Sequence, residues 1–343
     1  MFRCLTLILF LFCFYSGLVA ADKTDDNALL LQLDKMIEQR EVYQKKVEKE
    51  ITELRKMLDY VGDDKAKFDI LSDLFVMYRS FKVDTALIVA EERLQLADRL
   101  GEEYVNQGLM NLADALNKIG KHEKALEVLD RVKRTEAVRK DTYFYYLYHT
   151  TYLSCYNDET EASKKRLFMQ QIKAYKDTLI AISDPNTASY VTNKCGRLGL
   201  QGKWDEAIQI LSGYYEHCAD TNPDKASVEY LLAELYLGKR DMQQAKHFLI
   251  RASITDIANA KKVYMSLQQL AILLFQEGDI ARAYNYISCS LEDVSFGKAR
   301  YRIIDIAEYL PIIKAANDSR IKADRDLSLI HISEPTRLAL ISY

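Results

Sequence analysis

The sequence predicts an all-α protein: a right-handed superhelical solenoid of helix pairs, about six of them, preceded by one long N-terminal helix. The first observation behind this is a repeat. From Leu267 to Tyr284 an apolar helix runs into Gly278 and a second helix carries Ala281 and Ala283; counting back from Ala283, the arrangement returns at Ala245, after Leu232, Ala233 and Tyr236, and at Ala207, after Leu198, Gly202 and Trp204. The spacing is 38 residues both times, and a fixed period of about 20–50 residues marks a repeat architecture. The second observation is the placing of small residues. Ala113, Ala233 and Ala271 fall midway along first helices, and Ala125, Ala245 and Ala283 fall on second helices that must approach them closely. The third is the punctuation: only four prolines occur, Pro185 and Pro223 fall between units, and no strand-like alternation competes with the helical period.

The repeat extends upstream through Leu109, Leu112, Ala113, Leu116, Gly120, Ala125, Leu129 and Val132, with Ala125 82 residues, or about two periods, before Ala207. Gly120, Gly202 and Gly278 stand where a first helix ends and a left-handed residue is wanted. The pattern small-x-x-Leu/Tyr-x3-Gly-x4-Ala-x3-Leu resembles the tetratricopeptide repeat, over roughly Lys67 to Leu291. The family repeat has about 34 residues, so the longer period implies helices about one turn longer. Two further units follow the pattern less closely. Leu74, Phe75, Tyr78, Ala86, Ala90 and Ala97 depart by one residue in the turn, and Asp141 to Ile182 replaces the glycine turn with tyrosine-rich helices.

Residues 1–21 have the layout of a secretory signal peptide: Arg3, an apolar run from Leu5 to Tyr15, and Val19-Ala20-Ala21 before a polar stretch. The apolar run falls short of the roughly 20 residues of a spanning helix, so cleavage after Ala20 or Ala21 is expected. An exported chain keeps Cys155, Cys195, Cys218 and Cys289. The repeat register sets these too far apart to bridge, so buried free thiols are expected.

Residues 22–62 are read as a capping segment. Ala28 to Tyr60 contains no glycine or proline and places Leu30, Leu33, Ile37, Val47, Ile51, Leu54 and Leu58 at helical spacing, which predicts one helix. Its apolar seam is interrupted around Arg40 and Gln44, which argues against a full coiled coil and for a helix covering the open end of the solenoid. The repeats then occupy 63–296, followed by a last helical segment at 297–326.

The chemistry of the chain points away from catalysis. There is no glycine-rich phosphate loop, nucleophile elbow or HExxH, and the histidines pair with nothing at metal-ligand spacing, so no enzyme activity, metal or cofactor is expected. The formal charge of −3 is scattered rather than gathered in stripes, which argues against nucleic-acid binding by these residues. Tyrosine is abundant, 23 in all, with Tyr143, Tyr145, Tyr146, Tyr148, Tyr152 and Tyr156 close together. Tyr145, Tyr148 and Tyr152 share one helix face. They serve either core packing or a concave surface that holds a peptide or a sugar. In tetratricopeptide folds first-helix residues line the groove. That resemblance implies Met110, Asp114, Asn117, Lys118, Thr192, Tyr230, Glu234, Gln268 and Phe275 as groove residues.

After Asp326 the composition changes. Leu327 to Arg337 lacks a helical period and contains Pro335, and it resembles the translation of a sequencing-library adapter, as does Ile341-Ser342-Tyr343. Residues 327–343 are therefore read as a non-native tail. The export signal, the charged first helix, the repeats and the segment from Ala299 to Ile313 together resemble a family of bacterial envelope regulators, part of it catalogued as a domain of unknown function. In that family a periplasmic tetratricopeptide sensor precedes a transmembrane helix, a coiled coil and a cytoplasmic helix-turn-helix. The resemblance implies a periplasmic, inner-membrane-anchored sensing module with a protein or peptide partner in the envelope. A glycan ligand and a homodimer remain open, and membrane contact would come only through the missing C-terminal part. The alternatives are a periplasmic scaffold or assembly factor and a nutrient-binding accessory protein of the outer membrane.

Overall fold

A computed structural model describes the chain from Asp26 to Ile341 apart from residues 220 and 221, without side chains at 300, 301, 304, 305 and from 327 onward. The expected signal peptide and the side chains of the expected tail lie outside the described residues. Helices α1 (26–38) and α2 (Arg40–Tyr60) come first. Two helix pairs follow: α3 (Asp64–Phe81) with α4 (Val83–Ala97), and α5 (Glu102–Lys118) with α6 (His122–Asp130). After a single turn, α7 (Glu136–Arg139), come α8 (Thr142–Asp158) with α9 (Ala162–Ile182), and α10 (Ala188–Leu200) with α11 (Trp204–Glu216). The last two pairs are α12 (Lys225–Lys239) with α13 (Met242–Ala258), and α14 (Ser266–Glu277) with α15 (Ile280–Phe296), after which α16 spans Arg300–Ile341. This is the all-α, six-pair solenoid of the sequence reading, with no strand among the described residues.

The small residues explain how tightly the pairs close. Ala113, Cys195, Ala233 and Ala271 on first helices and Ala125, Ala207, Ala245 and Ala283 on second helices are all 0% exposed. Each pair can approach to backbone contact only because these side chains are short. The turns follow the same logic. Gly120, Gly202 and Gly278 take φ of 84°, 75° and 89°, and in the fifth pair Arg240 holds the equivalent left-handed place at φ 66°. Asp63, Thr135, Asp141, Thr187, Asp241 and Asp279 cap helix N-termini with their side chains. Cys155, Cys195 and Cys289 are buried free thiols as expected, while Cys218 forms no disulfide but is only half-buried, a departure from the expectation that follows from its place just past the exposed C-terminal end of α11.

The N-terminal segment differs from the sequence reading. The predicted single helix from Ala28 to Tyr60 breaks at Gln39, whose φ of −99° and ψ of 9° leave the helical region. Helix α1 then packs away from the start of the solenoid, with Leu30, Leu33, Met36 and Ile37 in the same core as Phe248, Tyr286 and Ile287 of α13 and α15. Polar ties fix it there. Asp26 meets His247 Nδ1 at 2.8 Å, and Asp34 accepts from Arg282 Nε at 2.9 Å and from the Tyr286 hydroxyl at 2.7 Å. Arg40 pairs with Glu292 and reaches Cys289. Helix α2 lies on α3, its Ile51 sharing a core with Phe68 and Leu71. The interrupted seam at Arg40 and Gln44 is thus the point where one amphipathic helix becomes two with different partners.

The first and last units also touch directly. Val83 N donates to Gly297 O at 2.9 Å, Lys262 N donates to Ser80 O at 2.8 Å, and Phe81 packs edge-on against Phe296 at 5.3 Å. The superhelix closes on itself, and α1 and α2 brace the seam. Helix α16 follows α15 and buries Ile306 and Ile313 in the main core. Its backbone stays helical to Ile341, through the segment predicted to lack a helical period. No helix among the described residues is long and apolar enough to cross a membrane.

Candidate functional site

Closure turns the concave side into a narrow lumen where charges from several units meet. Lys118, on α5, lies within electrostatic reach of Asp114, of Arg79 on α3, of Lys261 in the α13–α14 loop and of Arg302 on α16; burial lowers its pKa, Asp114 opposes the shift, and the three cations reinforce it. Asp114 itself is 2% exposed. It accepts from the Tyr143 hydroxyl at 2.9 Å and pairs with Arg79 at 3.3 Å. Burial works against the Arg79 charge, but Asp114, Tyr143 and Tyr146 together more than offset it, so the guanidinium sits above its ordinary value. Beside it a cavity of about 300 Å³ is lined by Phe75, Arg79, Arg93, Gln107, Met110 and Tyr143. Arg93 donates to Phe68 O and Gln107, with its guanidinium carbon 3.8 Å from the centre of the Phe68 ring. Burial pulls its pKa down to about 10.

A second group of polar side chains lies further along. Tyr230, on α12, accepts from Gln269 Nε2 at 2.7 Å, and its pKa is raised by burial and by Glu234 one turn on. Glu234 is open to water yet walled round by protein, so burial raises its pKa against the pull of Tyr230 and of Lys176 on α9. Lys176 is lowered by burial, with Glu234 opposing and Arg197 adding to the shift. Lys176 and Glu234 border a cavity of about 530 Å³ between the third, fourth and fifth helix pairs.

The sequence-predicted groove residues separate into three groups. Asp114, Lys118, Tyr230 and Glu234 carry the charge and hydroxyl groups of the lumen, and Met110 contributes from the wall while packed in the core. Asn117, Thr192, Gln268 and Phe275 do not present free polar groups there. Asn117 Oδ1 meets His122 Nδ1 at 2.6 Å, Thr192 caps back onto Ala188 O at 2.7 Å, Gln268 is buried while its neighbour Gln269 reaches Tyr230, and Phe275 packs on the core. Tyr145, Tyr148 and Tyr152 gather round Tyr175 of α9, with Tyr148 and Tyr175 stacked at 4.8 Å. Tyr148 is buried, donates to Asp130 at 2.6 Å and accepts from Arg134. This face closes the third pair instead of opening on the groove, and it is the other tyrosine face, through Tyr143, that reaches the lumen. Arg79, Arg93 and Lys176 were not among the predicted residues. Arg79 lies in the one-residue-shifted first unit, and Lys176 lies on a second helix, which the first-helix rule passes over.

Residues 37–308 match the family described as the SusR N-terminal TPR domain. The chain belongs to this family. Among solved structures, this SusR-type TPR chain is similar to TTC0263, a thermophilic TPR protein of Thermus thermophilus, at 18% identity over 67% of this chain and 100% of that one, with a TM-score of 0.43. A tetratricopeptide repeat protein from Parabacteroides merdae is 14% identical over 82% and 98% of the two chains, with a TM-score of 0.45. The TPR2AB domain of yeast Sti1, solved in complex with pHSP90, is 12% identical over 82% and 98%, with a TM-score of 0.33. No curated protein matches the chain. Among the described residues no group of His, Cys, Asp and Glu is arranged to hold a metal ion.

Proposed function

We propose that the chain is the non-catalytic sensing and protein-interaction module of a membrane-bound transcriptional regulator, working in the periplasm after export and anchored in the inner membrane. The match of residues 37–308 to the SusR N-terminal TPR domain carries this reading. The lumen supports it. It gathers charged side chains of several units, Arg79, Asp114 and Lys118 among them, into one concave space, as a surface that recognises a partner does. Helix α16 supports the signalling half, because Arg302 at its start lies within electrostatic reach of Lys118 and Tyr230 while Ile306 and Ile313 anchor it to the core. A ligand that changes the lumen charge therefore acts on the first turn of the helix leading out of the domain. The reading includes the adapter origin of residues 327–343 and a native frame that runs from about Asp326 into an apolar stretch of about 20 residues. Two measurements test it: genomic sequencing across the codon for Asp326, and transcript profiling of a strain lacking the locus. A spanning segment and a defined set of altered transcripts are expected. A stop codon within a few residues, or unchanged transcripts with a stable envelope partner in pull-down, overturns the regulator reading in favour of a scaffold.

A further inference from the structure

The cavity of about 530 Å³ between α8, α9, α10 and α12 is built unlike the rest of the lumen. Its walls are mainly apolar, supplied by Met169, Ile172, Leu231 and Leu235 and by the ring of Trp204. The ring is fixed. A Cβ on Gly238 would stand 2.6 Å from it and one on Gly199 3.2 Å, so both glycines are needed to admit it. A Cβ on Gly196 would likewise stand 2.9 Å from Lys176 Nζ, so the ammonium passes closely over that glycine.

Three polar groups lie in this apolar setting. Lys176 and Glu234, of opposite charge, are within electrostatic reach of each other and form no direct ion pair. His149, 8% exposed, adds a buried imidazole whose Nε2 has no hydrogen-bond partner. Burial, with the Lys176 charge beside it, pushes this imidazole down to about 3 and holds it neutral. His149 Nε2 is the buried atom left unpartnered, which is unfavourable, whereas Glu234 opens to water and interacts with the Tyr230 hydroxyl, and Lys176 and Glu234 both stand in the cavity wall. Their arrangement suits a ligand that brings both an anion and a cation. The volume suits a small molecule, since such sites occupy about 300–1,000 Å³.

We infer that this cavity binds a free α-amino acid with a large apolar side chain, its carboxylate directed to Lys176, its ammonium to Glu234, and its side chain against Ile172, Leu231 and Leu235. The separated charges supply the two complementary partners of a zwitterion, and the apolar walls take the side chain. A sugar fits less well, because it carries neither an anion for Lys176 nor a cation for Glu234. The inference rests on the sensing reading above, for which it supplies a ligand class.

Calorimetric titration of the purified chain with L-phenylalanine, L-leucine and L-methionine tests it, with phenethylamine, 3-phenylpropanoate and a neutral disaccharide as comparison ligands. Saturable binding of at least one amino acid is expected, at least tenfold tighter than phenethylamine and 3-phenylpropanoate, each of which lacks one charge. Glu234→Gln and Lys176→Met are each expected to weaken binding at least tenfold. Lys176→Met removes a buried charge and so should leave the melting temperature unchanged or higher, which separates lost binding from lost folding. No binding by any of the three amino acids at millimolar concentration, equal binding of a singly charged analogue, preference for the disaccharide, or unchanged affinity in both variants overturns the site. Absent binding together with an intact transcriptional phenotype removes this ligand and leaves the sensing reading standing. Binding without a transcriptional phenotype keeps the site and removes the regulator.

Discussion

Leu33→Ala tests the docking of α1, because that helix is tied to α13 and α15 by contacts more than two hundred residues away in sequence. Leu33 is 0% exposed and packs with Leu30, Met36 and Ile37 into the core of α13 and α15. A buried Leu→Ala change costs about 2–5 kcal/mol, the value rising with the cavity left behind. Here the lower half of that range, about 2–3 kcal/mol, is expected. One peripheral helix can settle into part of the space, but Asp34 holds it at fixed points on Arg282 and Tyr286 and prevents full collapse. The loss also has a ceiling, since no substitution within α1 can cost more than the free energy with which α1 docks. Beyond that ceiling the helix would release and the rest would remain folded. Urea unfolding followed by far-UV circular dichroism distinguishes the cases. Docking predicts a lower midpoint with an unchanged slope, whereas release before global unfolding predicts a lower slope. Leu31→Ala is the control, because that side chain is 63% exposed and should shift stability by no more than about 0.5 kcal/mol. Equal effects of the two substitutions would refute the docked position of α1.

Ala283→Leu places a bulky side chain where α14 and α15 meet at 0% exposure and should cost about 1–3 kcal/mol by overpacking; a thermal melt without loss would sink the repeat register. Arg240→Gly relieves a left-handed backbone at φ 66° and should stabilise by about 0.5–1 kcal/mol, whereas Gly278→Ala at φ 89° should destabilise by about 1 kcal/mol, both read from denaturation midpoints. His149 is neutral in the fold to about pH 3 but takes up a proton near pH 6.5 when unfolded. Its contribution is therefore fully present above about pH 6.5 and is lost as pH falls toward 3, at up to about 1.4 kcal/mol per pH unit. Glu229, Glu234 and Asp256, whose pKa values burial raises, act in the opposite sense. The measured quantity is thus the difference in stability between wild type and His149→Leu at pH 7 and pH 5, and no dependence of that difference on pH would refute the buried neutral imidazole.

The solenoid was readable from the sequence because its determinants are local and recur: an alanine where two helices touch, a glycine where one ends, and a fixed distance to the next pair. Even the fifth unit, where Arg240 stands in the left-handed place without a glycine, was carried by Ala233 and Ala245. What the sequence did not reveal depends on curvature summed over the units. Nothing near Asp34 announces Arg282 and Tyr286, and the break at Gln39 appears in sequence only as a polar interruption at Arg40 and Gln44. The site was half legible for the same reason. Position on a first helix brought out Asp114, Lys118, Tyr230 and Glu234, which point inward wherever the superhelix leads. Lys176 comes from a second helix, and its approach to Glu234 depends on how the third and fifth pairs are angled. The tyrosines of α8 misled because composition cannot say which face of a helix meets its partner, and the side chain that decides it, Tyr175, lies in the following helix.

Closure changes how the parts of the molecule depend on one another. In an open solenoid each unit contacts only its neighbours, so stability is close to a sum of unit and interface terms, and a perturbation at one end fades along the chain. Here Val83 bonds to Gly297 and Lys262 to Ser80, so the first unit also borders the last. Helix α1 on α13 and α15, joined at Gln39 to α2 on α3, spans the same junction. Opening the superhelix therefore means separating Phe81 from Phe296 and stripping Arg40 from Glu292 together. The lumen is enclosed only while that junction holds, because Lys118 of the second unit, Lys261 of the α13–α14 loop and Arg302 of α16 share one space by virtue of it. A ligand that draws the lumen charges closer thus favours the closed junction, and by linkage whatever favours the junction tightens the ligand. Helix α16 starts three residues after Gly297, the residue that accepts the bond from Val83. The state of the junction and the direction of the outgoing helix are set at one place in the chain.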